Sequence, residues 1–384
     1  VVTSLFVQSC GEDNLECNQR NQSYAMNNRS DGTLRPKAIV ATYARDYRFD
    51  NLKTLLIALV VFGHTIQQAA RTSDFFLIRF PYWIDAVIFT FHMPAFVFVS
   101  GYFSSSKKSL VEQVVPLLGL YLLAQWLWTG YNCMVSSSWP DLLALSGLLP
   151  GWGLWYLLSL ATWRVTIPIL KGIRSPVIFL VFAALAGAAA GHTNLGPILS
   201  LSRTVVFFPY FAAGFFAREL NWQSLLGEQR RKIDFAVLAL AIALLPCLLY
   251  FVHLSDRMIL YFDSPLAAVP IRFSWGFLFR VLAYLFAFAV IRWLMLLIPK
   301  SQHKWTRIGE ATLGIYLGHF YFLLILQHYI PKQDVGLMFL LSPFTTLALL
   351  WLLSRPAFLG RLNALHEGMQ RLAMHLMCRK IEKG

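Results

Sequence analysis

Residues 48–64 read RFDNLKTLLIALVVFGH, a charged opening that turns into an apolar helix with a histidine near its far end. Taken as one helix, Lys53 and His64 are eleven residues apart. Eleven steps of about 100° return to nearly the same face, roughly 16 Å further along the axis. Asp50 falls within about 40° of that face, one turn before Lys53. One stripe therefore carries an acid and a cation at a membrane edge and an imidazole deep inside. On this stretch alone, a plain signal-anchor helix with a snorkelling Lys and a hydrogen-bonded His reads the same way.

Composition carries the argument outward. Of the 384 residues, 57% are hydrophobic and 14% charged, whereas a soluble globular chain is about 25% charged. Mean hydropathy is +0.56. The expected fold is an all-α polytopic membrane protein, with one integral domain accounting for nearly all of the chain. The formal net charge of +14 raises nucleic acid as a partner, but the basic residues are spread through short loops instead of gathered on one face. They read as membrane topology, and no nucleic acid is expected. The five cysteines, Cys10, Cys17, Cys133, Cys247 and Cys378, have neither metal-ligand spacing nor a disulfide framework, and no metal is expected.

Residues 1–47 form a polar tail, expected to be disordered and cytoplasmic. Val1–Cys10 lacks the basic start and long apolar core of a signal peptide. Asn21 and Asn28 fit the N-glycosylation pattern but fall on the cytoplasmic side of the topology below. Ten apolar stretches then have about the length that crosses a ~30 Å core. They are Leu52–Ala70, Trp83–Phe103, Val114–Met134, Gly153–Leu170, Pro176–His192, Thr204–Ala217, Asp234–His253, Gly276–Ile298, Ala311–Ile330 and Val335–Ser354. Basic residues cluster before the first stretch and after every even-numbered one, with Arg164, Lys171 and Arg174 assigned to the loop after the fourth. That pattern predicts about ten transmembrane helices with both termini cytoplasmic. Residues 48–356 are the integral membrane domain. Residues 357–384 are a basic C-terminal tail, amphipathic over Leu362–Cys378, lying on the inner membrane surface.

The second stretch adds Asp85, His92, Met93, Pro94 and Ser100-Gly101-Tyr102. Asp85 and His92 share a face, and His92 lies at a depth similar to His64 on an antiparallel neighbour, so the two imidazoles are expected to face each other. Lys53, ten intervening residues and His64, followed by FHMPAFVFVSGYF at residues 91–103, resemble the membrane acyltransferase type 3 family. The D-x-L-K…GH form over Asp50–His64 is similar to its fucose 4-O-acetylase-like branch, with Lys53 where most members have Arg. Later segments are similar too: Gly153–Leu157 with Trp155; Arg203 with Phe207–Phe211 and Tyr210; and Gly309–His319 with Tyr316. A W-S-(L)-x-x-E element of the family's O-antigen branch is not evident.

The resemblance implies an O-acetyltransferase of the bacterial inner membrane, which moves an acetyl or other acyl group from cytosolic acetyl-CoA to a hydroxyl of a carbohydrate or glycoconjugate. His64 then suits a general base, with His92 and Asp50 beside it in the catalytic set. Lys53 and Arg48 are expected at the donor's phosphates, with His319 and Tyr316 also on the donor side. Arg203, Asp85, Trp155 and Tyr210 are expected at the acceptor. Membrane lipid is the surrounding partner, and the sequence leaves oligomeric state open. Asp85, His64, His92 and His319 also fit a relay in a proton-coupled transporter, although the chain shows no internal repeat.

Overall fold

The computed structural model of the chain describes residues 45–72, 80–104, 109–136, 139, 145–193, 195–220, 231–255, 257–262, 273–329 and 335–381. The N-terminal tail up to residue 44, with both glycosylation patterns, lies outside them. The helices are α1 (Arg48–Thr72), α2 (Phe80–Tyr102), α3 (Leu110–Ser136), α4 (Trp155–Val165), α5 (Ile167–Lys171), α6 (Pro176–Ala189), α7 (Leu201–Glu219), α8 (Arg231–Ser255), α9 (Phe273–Leu297), α10 (Thr306–Glu310), α11 (Thr312–Tyr329), α12 (Val335–Leu353) and α13 (Pro356–Ile381).

Among the described residues, seven of these are long and apolar enough to cross a membrane, and Pro176–His192 and Thr312–Leu326 are shorter apolar helices. The chain is an integral membrane protein. The expected fourth span, Gly153–Leu170, is not one helix. It breaks at Thr166 into α4 and the five-residue α5. Pro168 explains the break: it has no N–H to return to the Arg164 carbonyl, and it sits instead in the first turn of α5, where that N–H is not needed.

Burial decides the arrangement. In α1 and α2, 72% of the apolar window is buried, against 22% in α8, so α1 and α2 form the centre and α8 the rim. α1 packs on α2, α10, α11 and α12, and α2 in turn packs on α7 and α9. The α2–α7 contact is set by two glycines. A Cβ at Gly101 would strike the Phe211 carbonyl, and one at Gly214 would strike the Phe98 carbonyl. Small residues let backbones approach in this way inside a membrane.

The start of α1 is pinned to the α9–α10 connection. Asn51 donates to the carbonyls of Pro299 (2.8 Å) and Ser301 (2.9 Å) and accepts from Thr306, while Arg48 donates to the Met295 carbonyl. The tail helix α13 begins before the expected Leu362 and presses Leu359, Leu362 and Met369 onto the bundle at Gly314 and Gly119.

Candidate active site

His64 sits at the inner wall of a cavity of about 260 Å³. α1 supplies Val60, His64 and Gln67; α2 supplies Phe89, His92 and Met93; α11 supplies Tyr316 and Phe320. The rest comes from three connections, through Pro150–Trp155, Pro197 and Leu260–Tyr261, with Arg203 and Phe207 from α7. The described non-glycine residues with positive φ all fall in or beside these connections: Trp152 (29°), Leu199 (52°), Ser200 (53°) and Phe262 (52°). Such backbone costs roughly 1–3 kcal/mol per residue and collects where surrounding structure holds a site in shape.

Two imidazoles, His64 and His319, are ordered by one hydrogen-bond chain. His319 Nδ1 lies 2.9 Å from the Ile315 carbonyl, which only accepts, so Nδ1 carries the proton. In a neutral ring the other nitrogen is then an acceptor. His319 Nε2 is 2.9 Å from His64 Nδ1, and His64 Nδ1 is therefore the donor. This fixes His64 as the tautomer whose basic nitrogen is Nε2. The two rings lie nearly parallel, 8° apart, and His319 is completely buried. Trp152 and Phe320 flank His64 with ring centres 5.0 and 5.2 Å away, while Phe320 also covers His319 at 3.9 Å. His92 is fixed likewise, its Nδ1 donating to the Ile88 carbonyl at 2.7 Å.

Several expectations change here. The ring bonded to His64 is His319 on α11, not His92. His92 lines the same cavity without being the partner, because its Nδ1 is committed to its own helix. His319, expected on the donor side, stands beside His64. Asp50, grouped with the catalytic residues, sits fourteen residues before His64 on α1, about 21 Å along the axis. There it binds Arg45 and Lys53, both at 2.8 Å. Lys53 is fully buried against Asp50 and the Phe103 ring, and Arg48 is 6% exposed. Both expected phosphate ligands are thus enclosed among protein partners. Nearby Glu310 has its carboxyl pushed upward, first by burial and then by the Asp50 carboxylate.

Of the residues expected at the acceptor, Arg203 and Trp155 line the cavity, with the guanidinium 5.1 Å over the Trp155 ring and its Nε donating to the Tyr261 carbonyl at 2.9 Å. Tyr210 does not line it; its ring packs on Tyr284 and Phe288. Asp85 is buried and also lies outside the lining. The sequence reading missed Gln67, Trp152 and Tyr261, where Gln67 donates to the Tyr261 hydroxyl at 2.8 Å. It also missed Arg164, which is not a loop residue but is 3% exposed inside the bundle.

Membrane helices closed around a cavity, with a tautomer-fixed imidazole in its wall, define an integral membrane protein with a buried basic site. The chain belongs to the acyltransferase-domain family, whose model matches residues 46–355. It is 30% identical over 198 residues to Nodulation protein NolL of Mesorhizobium japonicum, an alignment covering 48% of this chain and 51% of that protein. It is 45% identical over 62 residues to Nodulation protein NolL of Sinorhizobium fredii, covering 16% of each. The chain thus spans about half, or less, of the length of the curated relatives it matches. No solved structure matches it significantly.

Proposed function

We propose that the protein transfers an acetyl or similar acyl group from acetyl-CoA to a carbohydrate hydroxyl in the His64 cavity, with His64 Nε2 as general base. The observation that carries this reading is the chain Ile315–His319–His64, which leaves His64 with its basic nitrogen at Nε2 and holds the ring still. The acceptor oxygen attacks the thioester carbonyl as its proton passes to His64 Nε2. The C–O bond forms, the C–S bond breaks, and the departing thiolate takes a proton back from the imidazolium. An imidazole suits both transfers because its ordinary pKa lies near neutrality, and such a base contributes roughly 10²–10⁴-fold.

Arg203 and the Trp152 ring hold the acceptor, with His92 Nε2 accepting a second hydroxyl. A volume of about 260 Å³, just under the ~300–1,000 Å³ of sites for drug-sized ligands, matches a single sugar ring. Both termini face the cytosol in this reading, about ten segments cross the bilayer, and the strained connections face outward. Acceptor chemistry rests on the resemblance of Asp50–His64 to the fucose 4-O-acetylase-like branch, and the family supports acyl transfer as the reaction class.

The test uses the protein in lipid with radiolabelled acetyl-CoA, following donor hydrolysis or label on added glycans. Activity should fall by at least ~10²-fold in His64→Ala. A loss below tenfold removes His64 as the base, and no turnover by the wild type removes the acyltransferase reading itself.

A further inference from the structure

A second cavity, about 10 Å³ as it stands, lies on the far side of Tyr316 from the histidines, among Phe96, Tyr156, Leu160, Arg164 and Thr312. Three observations single it out. Arg164 lines it, buried, with Nη1 donating to the Gln113 carbonyl at 3.2 Å and Nε without a hydrogen-bond partner. Among the described residues Arg164 has no carboxylate within ion-pair distance, whereas Lys53 is already neutralised by Asp50. A guanidinium left uncompensated inside an apolar bundle is costly, and such groups mark ligand paths.

The second observation is the wall. Tyr316 lines both cavities, and its hydroxyl donates to the Gly153 carbonyl, latching α11 to the connection before α4. The third is length. Trp155 lines the His64 cavity and Arg164 the second one, nine residues apart on α4, about 14 Å along the axis. That span suits a thioester with an extended arm whose phosphates lie at one end and whose carbonyl lies at the other.

We propose that the second cavity is the closed form of the donor's path. Arg164, not Lys53, receives the phosphate charge of the donor. Tyr316 is the gate: when its hydroxyl leaves the Gly153 carbonyl and the ring turns aside, the two cavities join and the thioester reaches His64. The proposal rests on the acyltransferase reading and adds to it the donor's anionic subsite and a specificity residue.

The experiment compares acetyl-CoA with S-acetylpantetheine, which lacks the phosphates, using the full chain in lipid. The wild type should prefer acetyl-CoA by about tenfold or more in kcat/KM, the scale of a hydrogen bond to a charged group. Arg164→Gln should lose most of that preference through KM while turning over S-acetylpantetheine nearly as the wild type does. Tyr316→Phe keeps the ring but removes the latch, and should raise acceptor-free hydrolysis of acetyl-CoA several-fold. Equal use of both donors by the wild type overturns the Arg164 assignment without any variant. A preference that survives intact in Arg164→Gln overturns it as well, and unchanged hydrolysis in Tyr316→Phe overturns the gate. A wild type that turns over neither donor instead defeats the acyltransferase reading, and the donor path with it.

Discussion

Removing the partner of the proposed base is the sharpest perturbation. His319→Ala takes away the acceptor of the His64 Nδ1 proton, 2.9 Å away in the structure, and leaves His64 to choose its tautomer and orientation. A buried donor stripped of its partner costs about 1–3 kcal/mol. At about 1.4 kcal/mol per decade, turnover should fall roughly 10- to 100-fold. His64→Ala should lose more, up to the ~10²–10⁴ that a general base supplies. If His319 acts only through His64, the double variant should be no slower than His64→Ala alone, because residues acting as one unit are not additive. His319→Gln offers an amide oxygen and should recover part of the loss. The assay is donor turnover by protein in lipid, with thermal unfolding of each variant as the control for folding. At least half the wild-type rate in His319→Ala refutes the orienting role, and so does a double variant whose two losses multiply.

Arg203→Ala removes a ring-stacked cation that also bonds the Tyr261 carbonyl; kcat/KM for the acceptor should fall about 10- to 100-fold with the donor KM unchanged. Gly153→Ala places a methyl group on the Phe320 ring, which covers both His64 and His319. Overpacking of this kind costs about 1–3 kcal/mol, so unfolding should come at lower temperature and turnover should drop about tenfold, and full activity would contradict the contact. Glu310→Gln addresses the charged end of α1. The folded protein holds the Glu310 proton more tightly than the unfolded chain does, so Glu310 costs stability as pH rises through and above the ordinary carboxylate range. The Gln variant should therefore unfold at higher temperature than the wild type at neutral pH, and the gain should vanish in acid, below that range.

The helical, membrane-embedded class was legible because it depends on local apolar length, and α1, α2 and α7 follow directly from it. The stripe joining Lys53 to His64 was equally legible, being a property of one helix. What could not be read is the distance across the bundle. The His64–His319 bond joins residues 255 positions apart, and periodicity carries no register between helices so separated. His92 was the natural choice because its helix is next in sequence. Arg164 was misassigned for a related reason. Counting cations as topology marks put Arg164 in the loop although the fourth stretch, Gly153–Leu170, already enclosed it, and the fold buries it in the last turn of α4. The one local signal was its company: Arg164 stands between Trp163 and Val165, unlike exposed Lys171 and Arg174.

The hydrogen bonds of the described histidines fit acyl transfer better than a proton relay. An imidazole that conducts must take a proton on one nitrogen and release it from the other to a group that can pass it on. His92 Nδ1 is bonded to the Ile88 carbonyl and His319 Nδ1 to the Ile315 carbonyl. A backbone carbonyl has no proton to give up in turn, so a proton reaching Nε2 of either ring meets a dead end. Among the described residues, the hydrogen-bond chain that leaves His64 Nδ1 runs to His319 and ends at the Ile315 carbonyl, so along it a proton taken at His64 Nε2 finds no exit and returns by the same nitrogen. That is the requirement of a base that accepts a hydroxyl proton and hands it to a leaving thiolate in the same cavity. A conducting wire would need the opposite arrangement, with the second nitrogen of each ring facing a titratable neighbour.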